Sequence, residues 1–289
     1  MSAGPAVARL PDGRRLHLQH GPIDIVLEAF GPPPAVAEGE RRAVARFATI
    51  LDELVAELPA LRSDRPGPRA GRVARRMEAA VAPFRPAFIT PMAAVAGAVA
   101  DEVLGALVSG GGIARAYVND GGDIALHLAP GEVLTAAIAA RPGAPDRVRV
   151  AHGDPVRGVA TSGWRGRSWS FGIADAVTVL AATAAAADAA ATMIANAVDL
   201  PGHAAIARRP ACEMQADSDL GPRPVTVAVG ALGPAEADAA LAAGAARAAR
   251  LAAQGLIAGA ALFLQGRART VGDPRLMRLP DPEPELCRD

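Results

Sequence analysis

Residues 183–198 read TAAAADAAATMIANAV, and the run just before them, residues 174–181, reads ADAVTVLA. The first stretch predicts a helix over Thr183–Val198 that is apolar almost all round. Such a helix is buried, in protein or in lipid. Lipid is disfavoured because Asp188 interrupts the apolar run Ala176–Val198 near its middle. A mid-membrane aspartate costs about 2.5–3.5 kcal/mol, and alanine returns little of that. Ala174–Ala181 is apolar enough to predict a central strand. A central strand followed by a buried helix points to helices packed on a sheet.

The polar residues of this helix are Asp188, Thr192 and Asn196, with Asp199 at its end. At about 100° per residue they fall within roughly 80° of one another, on one stripe. The stripe lacks the glutamates and arginines that cover other helices, such as Glu236, Arg247 and Arg250. It is therefore read as lining a cavity rather than facing solvent. Asp188 and Thr192, four residues apart, offer a carboxylate and a hydroxyl. These are hard oxygen donors suited to Mg²⁺ or Ca²⁺, with water, carbonyl and phosphate oxygens completing the shell.

Outward from this helix, Arg14–Gln19 and Ile23–Phe30 predict a hairpin, and Gly31–Pro34 a break in the chain. Helical spacing covers Val36–Leu58, Arg72–Val81, Met92–Val108 and Pro234–Gln254. Pro59–Gly71 is a polar loop. Strands are expected at Ile113–Val118, Ile124–Leu128, Val133–Ala139, Val148–Ala151, Gly158–Thr161, Val225–Val229 and Leu256–Leu264. Consecutive strands flanked by helices make the class α+β. One domain over residues 1–272 is expected, with the chemistry between 90 and 199 and a Pro-rich, loose tail over 273–289.

Composition excludes several chemistries. The 289 residues carry balanced charge, 30 Lys+Arg against 30 Asp+Glu, and no lysine. There is no field to draw the chain onto nucleic acid or an anionic membrane. Schiff-base and P-loop lysine chemistry are ruled out. Cys212 and Cys287 alone give neither a zinc site nor a disulfide framework, and the absence of a leader-like N-terminus gives a cytoplasmic expectation. The five histidines show no metal spacing and no triad, and are read as structural.

Three further segments can carry chemistry. Asn119-Asp120-Gly121-Gly122-Asp123 is a tight-turn signal, and its glycines would also let backbone amides approach a ligand. Thr161-Ser162-Gly163 ends a strand and offers hydroxyls and amides to a phosphate, or is a plain turn. Asp175, at the start of the central strand, caps the backbone or serves as a base. Arg115 and Tyr117 are placed on a partner-facing strand.

These segments, in order over about residues 90–199, resemble the ApbE-like superfamily, whose best-known members are FAD:protein FMN transferases. Residues 91–101 resemble its D-L-G-G-I-A-K-G-Y-A-V-D helix start, and residues 118–124 its V-N-x-G-G-D-I strand. Ser162-Gly163 resembles its S-G step, and Ala187–Thr192 its A-D-A-x-x-T helix. The resemblance implies ApbE-like, T-fold-related antiparallel sheets flanked by helices. It implies Mg²⁺ held by Asp188 and Thr192, with a carbonyl near Val95 as third ligand. It implies FAD or a related nucleotide held by Asn119, Gly121, Gly122, Asp123, Thr161, Ser162 and Gly163.

The chain departs from the pattern in two places. Ala96 stands where the family has lysine, and Ser168–Val177 replaces the histidine-bearing H-x-I-D-P-x-T-G segment. The chain is thus most like the shorter, cytoplasmic branch, which has been linked to sulfide assimilation in anaerobes. Two readings follow. One is a metal-dependent transferase or hydrolase acting at the phosphorus of a flavin or other nucleotide diphosphate. The other is an accessory protein that keeps the pocket without the reaction. Expected partners are that small molecule and a second copy in a homodimer, with no nucleic acid and no membrane.

Overall fold

The computed structural model describes residues 4–138, 146–273 and 277–278. The chain opens with β1 (Ala6–Arg9), β2 (Leu16–His20) and β3 (Ile23–Phe30), then α1 (Pro33–Ala56), α2 (Leu58–Leu61) and α3 (Arg72–Val81). A 3-10 turn, Pro91–Ala94, leads into α4 (Val95–Val108). Strands β4 (Arg115–Asp120), β5 (Asp123–Leu128), β6 (Val133–Ile138), β7 (Asp146–Ala151), β8 (Gly158–Ser162) and β9 (Ala176–Ala181) precede α5 (Ala184–Ala197). The last third holds β10 (Ile206–Pro210), α6 (Ala211–Met214), β11 (Pro224–Val229), α7 (Pro234–Ala253), β12 (Gly259–Leu264), β13 (Arg267–Gly272) and β14 (Met277–Arg278).

Among the described residues, nine strands form one sheet in the order β1-β2-β3-β4-β5-β8-β9-β12-β13. Every pairing in it is antiparallel. The class is α+β, with antiparallel sheets flanked by helices. One face carries two side-by-side apolar clusters. Phe47, Met77 and Leu107 pack with β2–β4 in the first. Ile194, Leu241 and Leu251 pack with β8, β9 and β12 in the second. On the opposite face, Val148 and Val150 of the small sheet β14-β7-β6 cover Leu126, Leu180 and Phe263.

The helix Val36–Leu58 begins earlier than expected, at Pro33, so residues 31–34 do not all break the chain. Proline suits the first helical turn, where its missing N–H has no partner to lose. The expected loop from Pro59 starts with the short helix α2. The strand Val133–Ala139 runs to Ile138, and residue 139 lies outside the described residues. Met277 and Arg278 pair with β7, while the rest of the expected tail beyond Asp273 lies outside the described residues.

Strand β4 is not an edge. It sits between β3 and β5, so its backbone offers no free side to a partner. Arg115 stacks over Phe30 at 4.2 Å, and the Tyr117 hydroxyl donates to Glu28 at 3.2 Å. One described stretch, Pro91–Val108, is long and apolar enough to cross a membrane, and it packs against α1, α3 and α5.

Candidate functional site

Helix α5 forms the floor of the site, and its alanines explain its position. Gly97 of α4 and Gly158 of β8 have no side chain where they meet its first turn. A Cβ on either would overlap the backbone of Ala184 or Thr183. Small residues on both sides let backbones touch. Its orphan N–H groups are satisfied from two directions. Thr183 Oγ1 accepts from the Ala186 amide at 3.1 Å, and both Asp101 carboxylate oxygens accept from Ala184 and Ala185 at 3.0 Å. Asp188 lies on the second turn, and its Oδ2 accepts from the Gly97 amide at 3.1 Å.

The β4–β5 turn comes from the neighbouring part of the sheet. Gly121 and Gly122 adopt φ of +62° and +115°, which only glycine takes without strain. Asn119 Oδ1 accepts from the Gly122 amide at 2.8 Å, locking the turn. Asp120 and Asp123 stand directly opposite each other across it. Asp120 is 6% exposed and accepts only a long bond, 3.4 Å, from the Asp24 amide. Asp123 accepts from the Thr161 amide at 3.1 Å, and the Thr161 and Thr178 hydroxyls are 2.8 Å apart.

Three carboxylates are thus held in one low-dielectric hollow, and each resists ionisation. Burial pushes Asp120 up to about 7, and the charges of Asp123 and Asp24 add to the rise while Arg167 opposes it. Burial also pushes Asp123 up. Asp188 is raised most strongly by burial, then by repulsion from Asp123 and Asp120, and the Gly97 amide only partly offsets this.

All three line one cleft of about 1210 Å³. It is also lined by Gly121, Gly122, Thr161, Ser162, Gly163 and Thr192. Phe88, Trp169 and Phe171 line it too. The Arg223 guanidinium lies over the Phe88 ring at 3.4 Å. The segment between α6 and β11 reaches across. Asp217 accepts from Arg62 at 2.8 Å, and Asp219 accepts from the Thr90 hydroxyl.

The sequence-derived candidates Asn119, Gly121, Gly122, Asp123, Thr161, Ser162, Gly163, Asp188 and Thr192 therefore share one cleft. Val95 and Asn196 line it too. Asp199 does not; it pairs with Arg208. Asp175 does not line it either. Its Oδ1 accepts from Arg165 at 2.7 Å and Trp164 at 3.3 Å, and its Oδ2 accepts from the Gln265 amide at 2.6 Å. The structure thus places Asp175 outside the cleft lining, as an anchor for Trp164, Arg165 and Gln265.

Asp120 was not singled out from the sequence, although a signal was present. Alternation along β4 puts Ala116, Val118 and Asp120 on one buried face. The aromatic wall, Arg62 and Arg167 had no such signal, because their loops are brought together only by the fold.

The donor set suits a hard divalent cation. Mg²⁺ is commonly held by one or two carboxylates plus substrate phosphates, with water completing its shell. Asp188, Thr192 and Asp123 offer oxygen only, and a cation among them would relieve the repulsion described above. Among the described residues, no three of His, Cys, Asp or Glu form an all-protein metal cage. No histidine lines the cleft.

A family model described as AbpE bacteria matches residues 7–270. A UPF0280 protein of Methanothrix thermoacetophila is 36% identical over 159 residues, 52% of this chain and 64% of that protein. One from Methanothermobacter thermautotrophicus is 40% identical over 129 residues, 40% of this chain and 46% of its own length. One from Methanopyrus kandleri is 36% identical over 160 residues, 54% of this chain and 63% of that protein. The chain therefore spans less than two thirds of each of these relatives.

Among solved structures, the Pseudomonas stutzeri flavinyl transferase ApbE aligns over 93% of this chain and 95% of its own, at 14% identity and a TM-score of 0.46. A Vibrio cholerae flavin transferase ApbE aligns over 66% and 87%, at 15% identity and a TM-score of 0.37.

Proposed function

The chain belongs to the AbpE bacteria family, within the ApbE-like superfamily, and on that premise we propose that its cleft binds a flavin nucleotide diphosphate together with Mg²⁺ and acts at the pyrophosphate. One observation carries this reading. Asp188 and Thr192, on a helix, share a single cleft with the Gly121-Gly122 turn and its two flanking aspartates, although they come from distant parts of the chain. The volume, about 1210 Å³, exceeds the roughly 300–1,000 Å³ of ordinary small-molecule pockets, which supports a ligand as large as a dinucleotide.

Asp188, Thr192 and Asp123 would hold the cation. When bound, Mg²⁺ supplies neutralisation of the charge that builds as a phosphorus–oxygen bond breaks. Gly121 and Gly122 leave room for the ligand backbone at the turn. Ser162 and Gly163 supply polar contacts at the end of β8. The aromatic wall offers Phe88, Phe171 and Trp169 to a planar ring.

A second reading, binding without turnover, is favoured by the lack of a cleft-lining histidine and of any lysine. Both readings are tested by melting the protein with FAD, FMN, ADP or ATP, with and without Mg²⁺. Ligand at about 100-fold excess over Kd adds roughly 2.7 kcal/mol. The expected result is a shift that requires Mg²⁺ and is lost in Asp188→Ala. If none of the four stabilises the wild type in Mg²⁺, the proposal fails. Release of FMN from FAD then separates the enzyme from the binder.

A further inference from the structure

The loop between β8 and β9 brings a cation, Arg167, to the cleft. Its base is fixed. The Trp164 amide donates to the Ala174 carbonyl at 3.0 Å, and the Gly166 amide to the Gly163 carbonyl at 3.1 Å. Gly163 has no room for a side chain against the Ala174 and Asp175 carbonyls. Asp175 holds both Trp164 and Arg165 from below. Arg165 is therefore committed: it is paired with Asp175 and stacked on Trp164 at 4.8 Å.

Arg167, two residues on, is different. It lines the cleft, and its Nη1 lies 3.6 Å from where a Cβ on Gly121 would stand. Among the described residues, two arginines line the cleft. Arg62 is paired with Asp217, whereas no hydrogen bond or ion pair engages Arg167. Its charge is felt by Asp120, but it makes no hydrogen bond to that carboxylate, so its five donors stay open over a bare glycine turn. Its planar fork matches two phosphate oxygens at once.

We propose that Arg167 clamps the phosphate of the ligand against the Gly121-Gly122 turn, so that the cleft selects phosphorylated ligands over their unphosphorylated counterparts. Asp175 is then a positioning residue: it anchors the loop that presents Arg167. This inference rests on the cleft being the nucleotide site proposed above. It assigns the anion contact to a residue outside every motif that suggested that site.

The test measures affinities in Mg²⁺ for two pairs of probes, FAD with riboflavin and ADP with adenosine, and for inorganic pyrophosphate alone. Wild type is compared with Arg167→Ala, Arg167→Lys and a control at the exposed Arg209. A charge-assisted contact of this kind corresponds to about 10- to 100-fold in affinity. Arg167→Ala is expected to weaken FAD, ADP and pyrophosphate by about that factor and to leave riboflavin and adenosine unchanged. Arg167→Lys is expected to recover only part of the loss, because an ammonium lacks the fork.

Equal weakening of the phosphorylated and unphosphorylated members of each pair would overturn the clamp, as would no weakening at all. If the wild type binds none of the probes, the nucleotide reading and the clamp fail together. If the wild type binds and Arg167→Ala binds equally well, the clamp alone fails. Arg167 is exposed and makes no hydrogen bond or salt bridge, so melting without ligand should stay close to the wild type and exclude misfolding.

Discussion

Asp120 and Asp123 are like charges placed face to face across a two-residue turn, an arrangement that weakens a sheet unless something offsets it. For Asp120 the sign is clear. Its carboxyl titrates near 7 in the folded protein, against an ordinary value of 3.8. Between those values the native state keeps a proton that the unfolded chain has lost. Its contribution to stability is thus fully present below about pH 4 and is lost as pH rises through about 7. Asp120→Asn should therefore stabilise the ligand-free protein by about 1–3 kcal/mol at about pH 8, and far less at about pH 4. Urea unfolding at both pH values checks this; a wild-type-to-variant difference that does not change with pH would contradict it. The pair was legible in the D-G-G-D string of the sequence, but its burial was not. That depends on β8 and α5 closing over the turn from 35 or more residues away.

At the scale of elements, α5 depends on its first turn. Asp101 comes from α4, and both its oxygens are used on the Ala184 and Ala185 amides. Asp101→Ala should cost about 1–2 kcal/mol, the usual cost of losing a cap. It should also speed hydrogen exchange at the start of α5 and weaken Mg²⁺-dependent stabilisation, since Asp188 sits one turn further on. Unchanged exchange there would show that Thr183 alone holds the helix end. Helices and inner strands were readable because their apolar residues repeat at helical or strand period. The strands that escaped notice lacked that pattern. β1 has all four residues exposed, β10 carries two consecutive arginines and ends on a proline, and β13 alternates arginine with small residues along a partly exposed segment. The order of the sheet escaped as well, because β5 pairs with β8 and β9 with β12 across intervening excursions. No local signal specifies such pairings.

Across the whole molecule, Glu102 ties together helices far apart in sequence. It is 3% exposed on α4, with Arg46 of α1 at 2.9 Å and Arg72 and Arg76 of α3 at 3.0 and 3.1 Å. Arg72 and Arg76 are solvent-exposed and Arg46 also holds Glu53, so what removal of Glu102 costs is its charge-assisted hydrogen bonds, about 1–3 kcal/mol. Glu102→Ala should show that loss in chemical denaturation, and a change below about 1 kcal/mol would mean the arginines find water instead. The contact of α5 with Gly97 and Gly158 has a different kind of consequence. Main chain rests on main chain there, so the spacing between the floor of the cleft and the sheet beside it does not depend on the fit of any side chain. Rim residues such as Trp169 or Phe88 can be exchanged without moving that floor. Relatives built on this frame are therefore free to change which molecule they accept while keeping the same platform beneath it.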